Sequence, residues 1–273
     1  MNSRPQKTLI LYQYEACPYC RLVREALSVL ALEVVVYPCP RLTLGRYGVS
    51  EGSRYRPEAI KLTGKCMFPT LVDPNFDPPL AIVESKDIIT HIWKTYGAGA
   101  SNPWNSTVAY KLKRLVLIPT LLRPMPYMGL IRTPSRDPPD QLLVLYSYES
   151  CPFSRLCREC LDSIEIPYRV VNVPPFNFSY GRLLLDREAS TLRAEGLLPE
   201  SIPALSVPVL VDRNTGTVKT DAMGIVTYLK CTYALGEAQA NWSDYSTAGA
   251  DDGHGVIPGF KQSRALNDTK KVL

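Results

Sequence analysis

The residues best equipped for chemistry are Cys17 and Cys20, a Cys-x-x-Cys pair inside the phrase LYQYEACPYCRLVREAL that starts at Leu11. The phrase returns as LYSYESCPFSRLCRECL from Leu145, with Cys151 kept and Ser154 where the second cysteine would stand. A helix start at Cys17 would turn unpaired backbone N–H groups toward the sulfur and favour thiolate. Such placement lowers a cysteine pKa from about 8.5 into the range of roughly 3.5–7.5. Cys17 is then the expected attacking thiol, and Cys20, three residues on and on the same helical side, would resolve a mixed disulfide. A buried structural pair or a pair of zinc ligands competes with that reading. Zinc needs two further ligands, and no second close Cys-x-x-Cys supplies them, so no metal is expected. The second copy offers one thiol, Cys151, and a hydroxyl without redox chemistry. Cys157 and Cys160 fall on an apolar stripe, where cysteines are core residues more often than reagents.

The elements that must position these thiols are legible in both copies. LILYQY (9–14) is a short apolar strand, and Pro18 then suits the first turn of a helix running to about Leu30. Leu22, Val23, Ala26, Leu27 and Leu30 give that helix an apolar stripe. Valine-rich Glu33–Tyr37 fits a buried parallel strand. After a polar, glycine-rich stretch, MFPTLVDPN (67–75) places Pro69 just before a strand and DPN as a turn. LAIVESKDIITHIWKTYG then gives a strand, a turn at Glu84–Ser85 and a closing helix. The second copy repeats the order with YRVVNV (168–173), SVPVLVDRNTG (206–216) and VKTDAMGIVTYLKCTYA. Ser85 also reads locally as a helix N-cap, a structural duty that competes with any ligand role.

Those phrases resemble the thioredoxin superfamily: the N-terminal domain of glutathione transferases, its glutaredoxin relatives, and tandem two-domain proteins of plant and cyanobacterial type. The resemblance implies an α/β fold class of two tandem thioredoxin-fold domains, each a mixed central sheet flanked by helices. It also implies glutathione as the cofactor and cis peptide bonds before Pro69 and Pro208. In the first copy Tyr19, Phe68, Pro69, Glu84 and Ser85 would surround the ligand, with Glu84–Ser85 on the γ-glutamyl end. In the second copy Val207, Pro208 and Asp221 hold the matching places, Thr220–Asp221 replacing Glu84–Ser85. The implied function is a glutaredoxin-type, glutathione-linked thiol–disulfide oxidoreductase acting through Cys17 and Cys20. One alternative is a non-catalytic subunit or assembly factor of a larger, photosynthetic complex. The other is a glutathione-binding, transferase-like protein. Chloroplast localisation is part of the same resemblance, with the cytoplasm as the alternative.

The repeat divides the 273 residues into a first domain (1–100), a connector (101–140), a second domain (141–235) and a tail (236–273). The net charge is +5, and the connector contributes most of the excess, with six basic and two acidic residues. A basic connector suits an acidic protein surface or anionic lipid head groups, or is simply a solvated linker. Its one amphipathic helix would carry Trp104, Val108, Leu112 and Leu115 on one face before Pro119, Pro124 and Pro126 intervene. That cannot build the large helical domain of a conventional glutathione transferase. The tail is poor in periodicity and rich in Gly, Ser, Asp and Ala, and Trp242, Tyr245, Ile257 and Phe260 could anchor a protein partner. No basic run interleaved with aromatics speaks for nucleic acid. No apolar run reaches 18 residues, so no transmembrane segment is expected, although surface association with a membrane stays open. Eight scattered cysteines fit a reducing compartment better than a disulfide framework. His91 and His254, the two histidines, support neither a catalytic triad nor a metal centre.

Overall fold

The first apolar run forms β1 (Leu9–Gln13), and the pyrrolidine of Pro18 opens α1 (Pro18–Val29) directly after Cys17. Then come β2 (Val34–Pro38), α2 (Arg56–Thr63), β3 (Thr70–Asp73), β4 (Leu80–Val83) and α3 (Ser85–Tyr96). The second copy gives β5 (Leu143–Ser147), α4 (Pro152–Ser163), β6 (Tyr168–Asn172), α5 (Phe178–Ala194), β7 (Val209–Asp212), β8 (Thr217–Lys219) and α6 (Ala222–Tyr233). The polar stretch after the second strand thus contains a helix in each copy, of 8 residues in α2 and 17 in α5. This computed structural model describes residues 4–40, 53–99, 137–174 and 178–235. The expected connector helix and the partner-binding tail lie outside the described residues.

Two domains with separate sheets were the expectation, and the structure corrects it. All eight strands form one continuous mixed sheet in the order β4-β3-β1-β2-β6-β5-β7-β8. Each unit contributes a parallel pair, β1 with β2 and β5 with β6, and two antiparallel outer strands. The join is the antiparallel pairing of β2 with β6, and its register is symmetric between the copies. Val35 stands opposite Arg169, its own counterpart in the second phrase, with Val34 opposite Val170 and Val36 opposite Tyr168. Each strand satisfies the other's edge, which would otherwise expose a row of unpaired backbone groups.

The core follows the same division. On one face of the sheet, a single apolar cluster runs across the seam, from Leu22, Leu27, Ile88 and Ile92 to Leu143, Leu161, Ile225 and Leu229. On the other, the clusters are separate: Tyr12, Tyr37, Tyr55 and Ala59 beneath α2, and Tyr146, Val171, Leu185 and Leu192 beneath α5.

Two buried arginine–glutamate pairs lie along the seam, again in symmetric places. Arg24 grips Glu149 with Nε to Oε2 at 2.8 Å and Nη2 to Oε1 at 3.0 Å. Arg158 does the same to Glu15 at 3.2 and 3.1 Å. Cross-contacts of 3.3 Å from Arg24 to Glu15 and 3.2 Å from Arg158 to Glu149 close the set. Burial by itself would raise the Glu149 carboxyl, but the two guanidinium groups hold it below its ordinary value. The backbone N–H groups of Glu15 and Glu149 also cross the seam, to Asp162 Oδ2 and Ser28 Oγ. Buried pairs of this kind are net stabilising only when every charge is met, so removing one member is far more damaging than its presence is helpful.

Candidate functional site

Cys17 is the N-cap of α1, with extended backbone, and its sulfur accepts the Cys20 N–H at 3.3 Å. Burial opposes ionisation of this thiol, but it is outweighed by hydrogen bonding from Cys20, the charge of Arg24 and the Tyr19 N–H, so its pKa is lowered. Cys20 has the opposite fate. It is wholly buried, and burial together with its bond and charge from Cys17 pushes its thiol well above the ordinary value. The spacing therefore yields one activated sulfur and one that holds its proton. Burial also pushes Cys157 and Cys160 up to about 12, consistent with their places in the core.

The wall facing Cys17 is built from the segment before β3. The Phe68–Pro69 bond is cis, and the Phe68 carbonyl oxygen lies 3.8 Å from Cys17 Sγ. Phe68 meets Tyr14 edge-on at 6.5 Å between centroids. The Arg56 guanidinium lies 4.6 Å from the Phe68 ring centre and 5.7 Å from that of Tyr14. Such cation–ring contacts add attraction on top of the area they cover. Tyr19 points outward, 41% exposed.

Glu84 and Ser85 form the start of α3, though not as their residue types suggest. The N-cap is Glu84, held at φ 69, and Ser85 is the first helical residue and buried. A left-handed φ is uncommon for any residue with a Cβ. The Glu84 side chain makes no capping hydrogen bond.

The second unit keeps the frame and loses these details. Cys151 is the N-cap of α4 and accepts the Ser154 N–H at 3.3 Å, and the Val207–Pro208 bond is cis. The Ser154 hydroxyl is buried without a hydrogen-bond partner among the described residues. Asp221 occupies the N-cap of α6 with ordinary extended backbone, and its carboxylate accepts the Gly224 N–H at 2.6 Å. The anion-seeking end of this helix is filled by its own side chain.

Some important residues escaped the sequence reading. Asp73, in the LVDPN phrase, is buried and accepts hydrogen bonds from Asn75, Tyr96 at 2.7 Å and His91 at 2.8 Å. Burial would raise this carboxyl, but the bonds from His91, Tyr96 and Asn75 prevail and lower it to about 2. Asp212 repeats the arrangement with Asn214, Tyr228 and Tyr233. The signal was present as the same Asp-x-Asn spacing in both copies. An open cavity of about 410 Å³ lies elsewhere, lined by Glu33, Tyr146, Arg169, Leu183 and Arg187 among others and by none of the candidate site residues. Among the described residues no cluster of three or more His, Cys, Asp or Glu could hold a metal ion, and no helix is long and apolar enough to cross a membrane.

The family model for the glutathione S-transferase N-terminal domain matches residues 11–102 and again 145–238. The chain belongs to that family, which it represents twice. No curated protein matches it. Among solved structures it is similar to a glutathione transferase of Bombyx mori, at 23% identity over 38% of this chain and 42% of that one, with a TM-score of 0.28. A delta-class transferase of Nilaparvata lugens matches at 25% identity over 38% and 42%, with a TM-score of 0.26. A trimeric transferase of Leishmania matches at 16% identity over 89% and 73%, also with a TM-score of 0.26. The chain thus spans less than half of the two insect transferases.

These findings overturn the expected glutaredoxin-type oxidoreductase with a redox-active centre at Cys17 and Cys20. The family shown is that of the glutathione S-transferase N-terminal domain, and all eight cysteines are free thiols. The physical reason lies in Cys20, whose burial and bond to Cys17 raise its pKa and keep it protonated rather than nucleophilic.

Proposed function

We propose that the chain is a glutathione-binding, transferase-like protein whose first unit holds the tripeptide and presents it to a single thiol, Cys17. The carrying observation is the conjunction, in the first unit, of a Cys17 thiol whose pKa is lowered with an α3 N-terminus whose N-cap side chain makes no capping hydrogen bond. In this reading the γ-glutamyl carboxylate seats on Ser85 and the start of α3. The peptide backbone of the ligand runs along Phe68–Pro69, which brings its sulfur to Cys17. Asp221 supplies its own carboxylate to the corresponding place in the second unit, so one ligand per chain is expected. The experiment is calorimetric titration of the full chain with glutathione and with S-methylglutathione, repeated on S85A and C17S. One saturable site, weakened in S85A, supports the proposal. Absence of binding at millimolar ligand sinks it.

A second reading, a non-catalytic subunit of a larger assembly, is favoured by one observation: Cys17 is only 2% exposed. Size-exclusion of the native protein from its source separates the two, since the subunit reading requires migration well above 30.5 kDa.

A further inference from the structure

We propose that Glu165, a residue of the second unit, is a positioning residue for the ligand site of the first, acting through the start of α2. The inference deepens the glutathione reading and rests on it for the ligand, while its geometry stands apart from it. Glu165 lies in the turn after α4 at φ 50, and its counterpart after α1, Ala31, has the same φ of 50. The turn is common to both copies; the reaching carboxylate is not. Glu165 Oε1 accepts the Ser53 hydroxyl at 2.9 Å and the Arg54 N–H at 3.0 Å, and Arg54 Nη1 donates to the Glu165 carbonyl at 3.5 Å. Both Ser53 and Glu165 are buried.

That clamp sits immediately before α2, a helix of only 8 residues. So short a helix depends on its contacts rather than on intrinsic propensity. Its first residue, Arg56, donates to the carbonyls of Cys39 at 2.8 Å and Pro40 at 3.1 Å and lies over the Phe68 ring. Phe68 in turn brings its carbonyl to Cys17. The path from the second unit to the activated sulfur is therefore contiguous: Glu165, Ser53–Arg54, Arg56, Phe68, Cys17. The ion pairs of Arg24 and Arg158 hold the seam independently, so loss of Glu165 is felt first at α2.

The test uses the full chain as wild type, E165A and E165Q. It follows the rate at which iodoacetamide alkylates Cys17, resolved from the other thiols by peptide mass, and the dissociation constant of glutathione. In E165A the loss of two buried hydrogen bonds is expected to loosen α2, speeding Cys17 alkylation by about fivefold and weakening glutathione by about tenfold. E165Q keeps an acceptor oxygen for both donors and is expected to restore both values to within about twofold of wild type. Should E165A fail to fold, S53A removes one of the two bonds and must move alkylation the same way by a smaller factor. Wild-type alkylation rates in E165A, or equal effects of E165A and E165Q, would overturn the proposal. If the wild type binds no glutathione, the functional reading falls while the alkylation arm still decides the clamp.

Discussion

The first and second units share a backbone plan and differ at the ends of two helices. Both seat a cysteine at the N-cap of the helix after the first strand, and both put a cis-proline before the third. Both bury an aspartate beneath the closing helix. What differs is local: Cys20 against Ser154, a Phe68 wall stacked with Arg56 against Val207, and an N-cap Glu84 at φ 69 against a self-capping Asp221. The features that hold the fold are duplicated, and the features that would receive a ligand are not. Fold and site respond to different constraints even when they are written in the same phrase.

The strongest way to break the comparison is to attack what the units share. E149A leaves Arg24 without its bidentate partner in a buried seam, and E15A does the same to Arg158. Each is expected to destabilise the chain by about 3–5 kcal/mol, and by similar amounts, when unfolding is followed in denaturant. A large difference between the two would show that the seam is not energetically symmetric.

The buried aspartates give a smaller effect with a defined pH dependence. Asp73 has its pKa lowered to about 2 in the folded chain, against roughly 3.9 for an unperturbed aspartate. Its contribution is therefore complete above about pH 4 and is lost as pH falls toward 2. D73N is expected to cost about 1–3 kcal/mol at neutral pH and to flatten that acid limb in thermal melts. D212N should do likewise, since Asp212 is also lowered, by its tyrosine and asparagine bonds prevailing over burial.

The last two changes sharpen the difference between the units. S85A is expected to weaken glutathione by about tenfold in calorimetry. D221A should act on stability instead: loss of the α6 cap costs about 1 kcal/mol in denaturant unfolding, with glutathione binding unchanged. Equal ligand effects from both would erase the proposed asymmetry.

Much of the frame was legible because its signals are local. The strands, the helix opening at Pro18, the closing helices and the prolines before β3 and β7 fall where alternation, stripes and turn residues put them. The continuous sheet was not legible. A valine-rich strand buried on both faces reads alike whether its second neighbour comes from its own unit or from the other. Glu15 and Arg24 recur as Glu149 and Arg158, a repeated charge pattern that marked the seam but resembled surface residues. The chemistry was misread for a related reason. Cys-x-x-Cys spacing reports which side of a helix two thiols share, and it is silent on how their mutual bond divides the proton, lowering Cys17 and raising Cys20. The departure of Glu84 from the expected Ser85 cap has a similar origin, since backbone φ is set by how β4 must turn into α3.

The apolar cluster that crosses the seam also bears on what the second unit does for the first. Because Leu143, Leu161, Ile225 and Leu229 belong to the same core as Leu22 and Ile88, deleting the second copy would strip one flank from the first. The second unit therefore serves the first as a structural flank whatever its own loops bind.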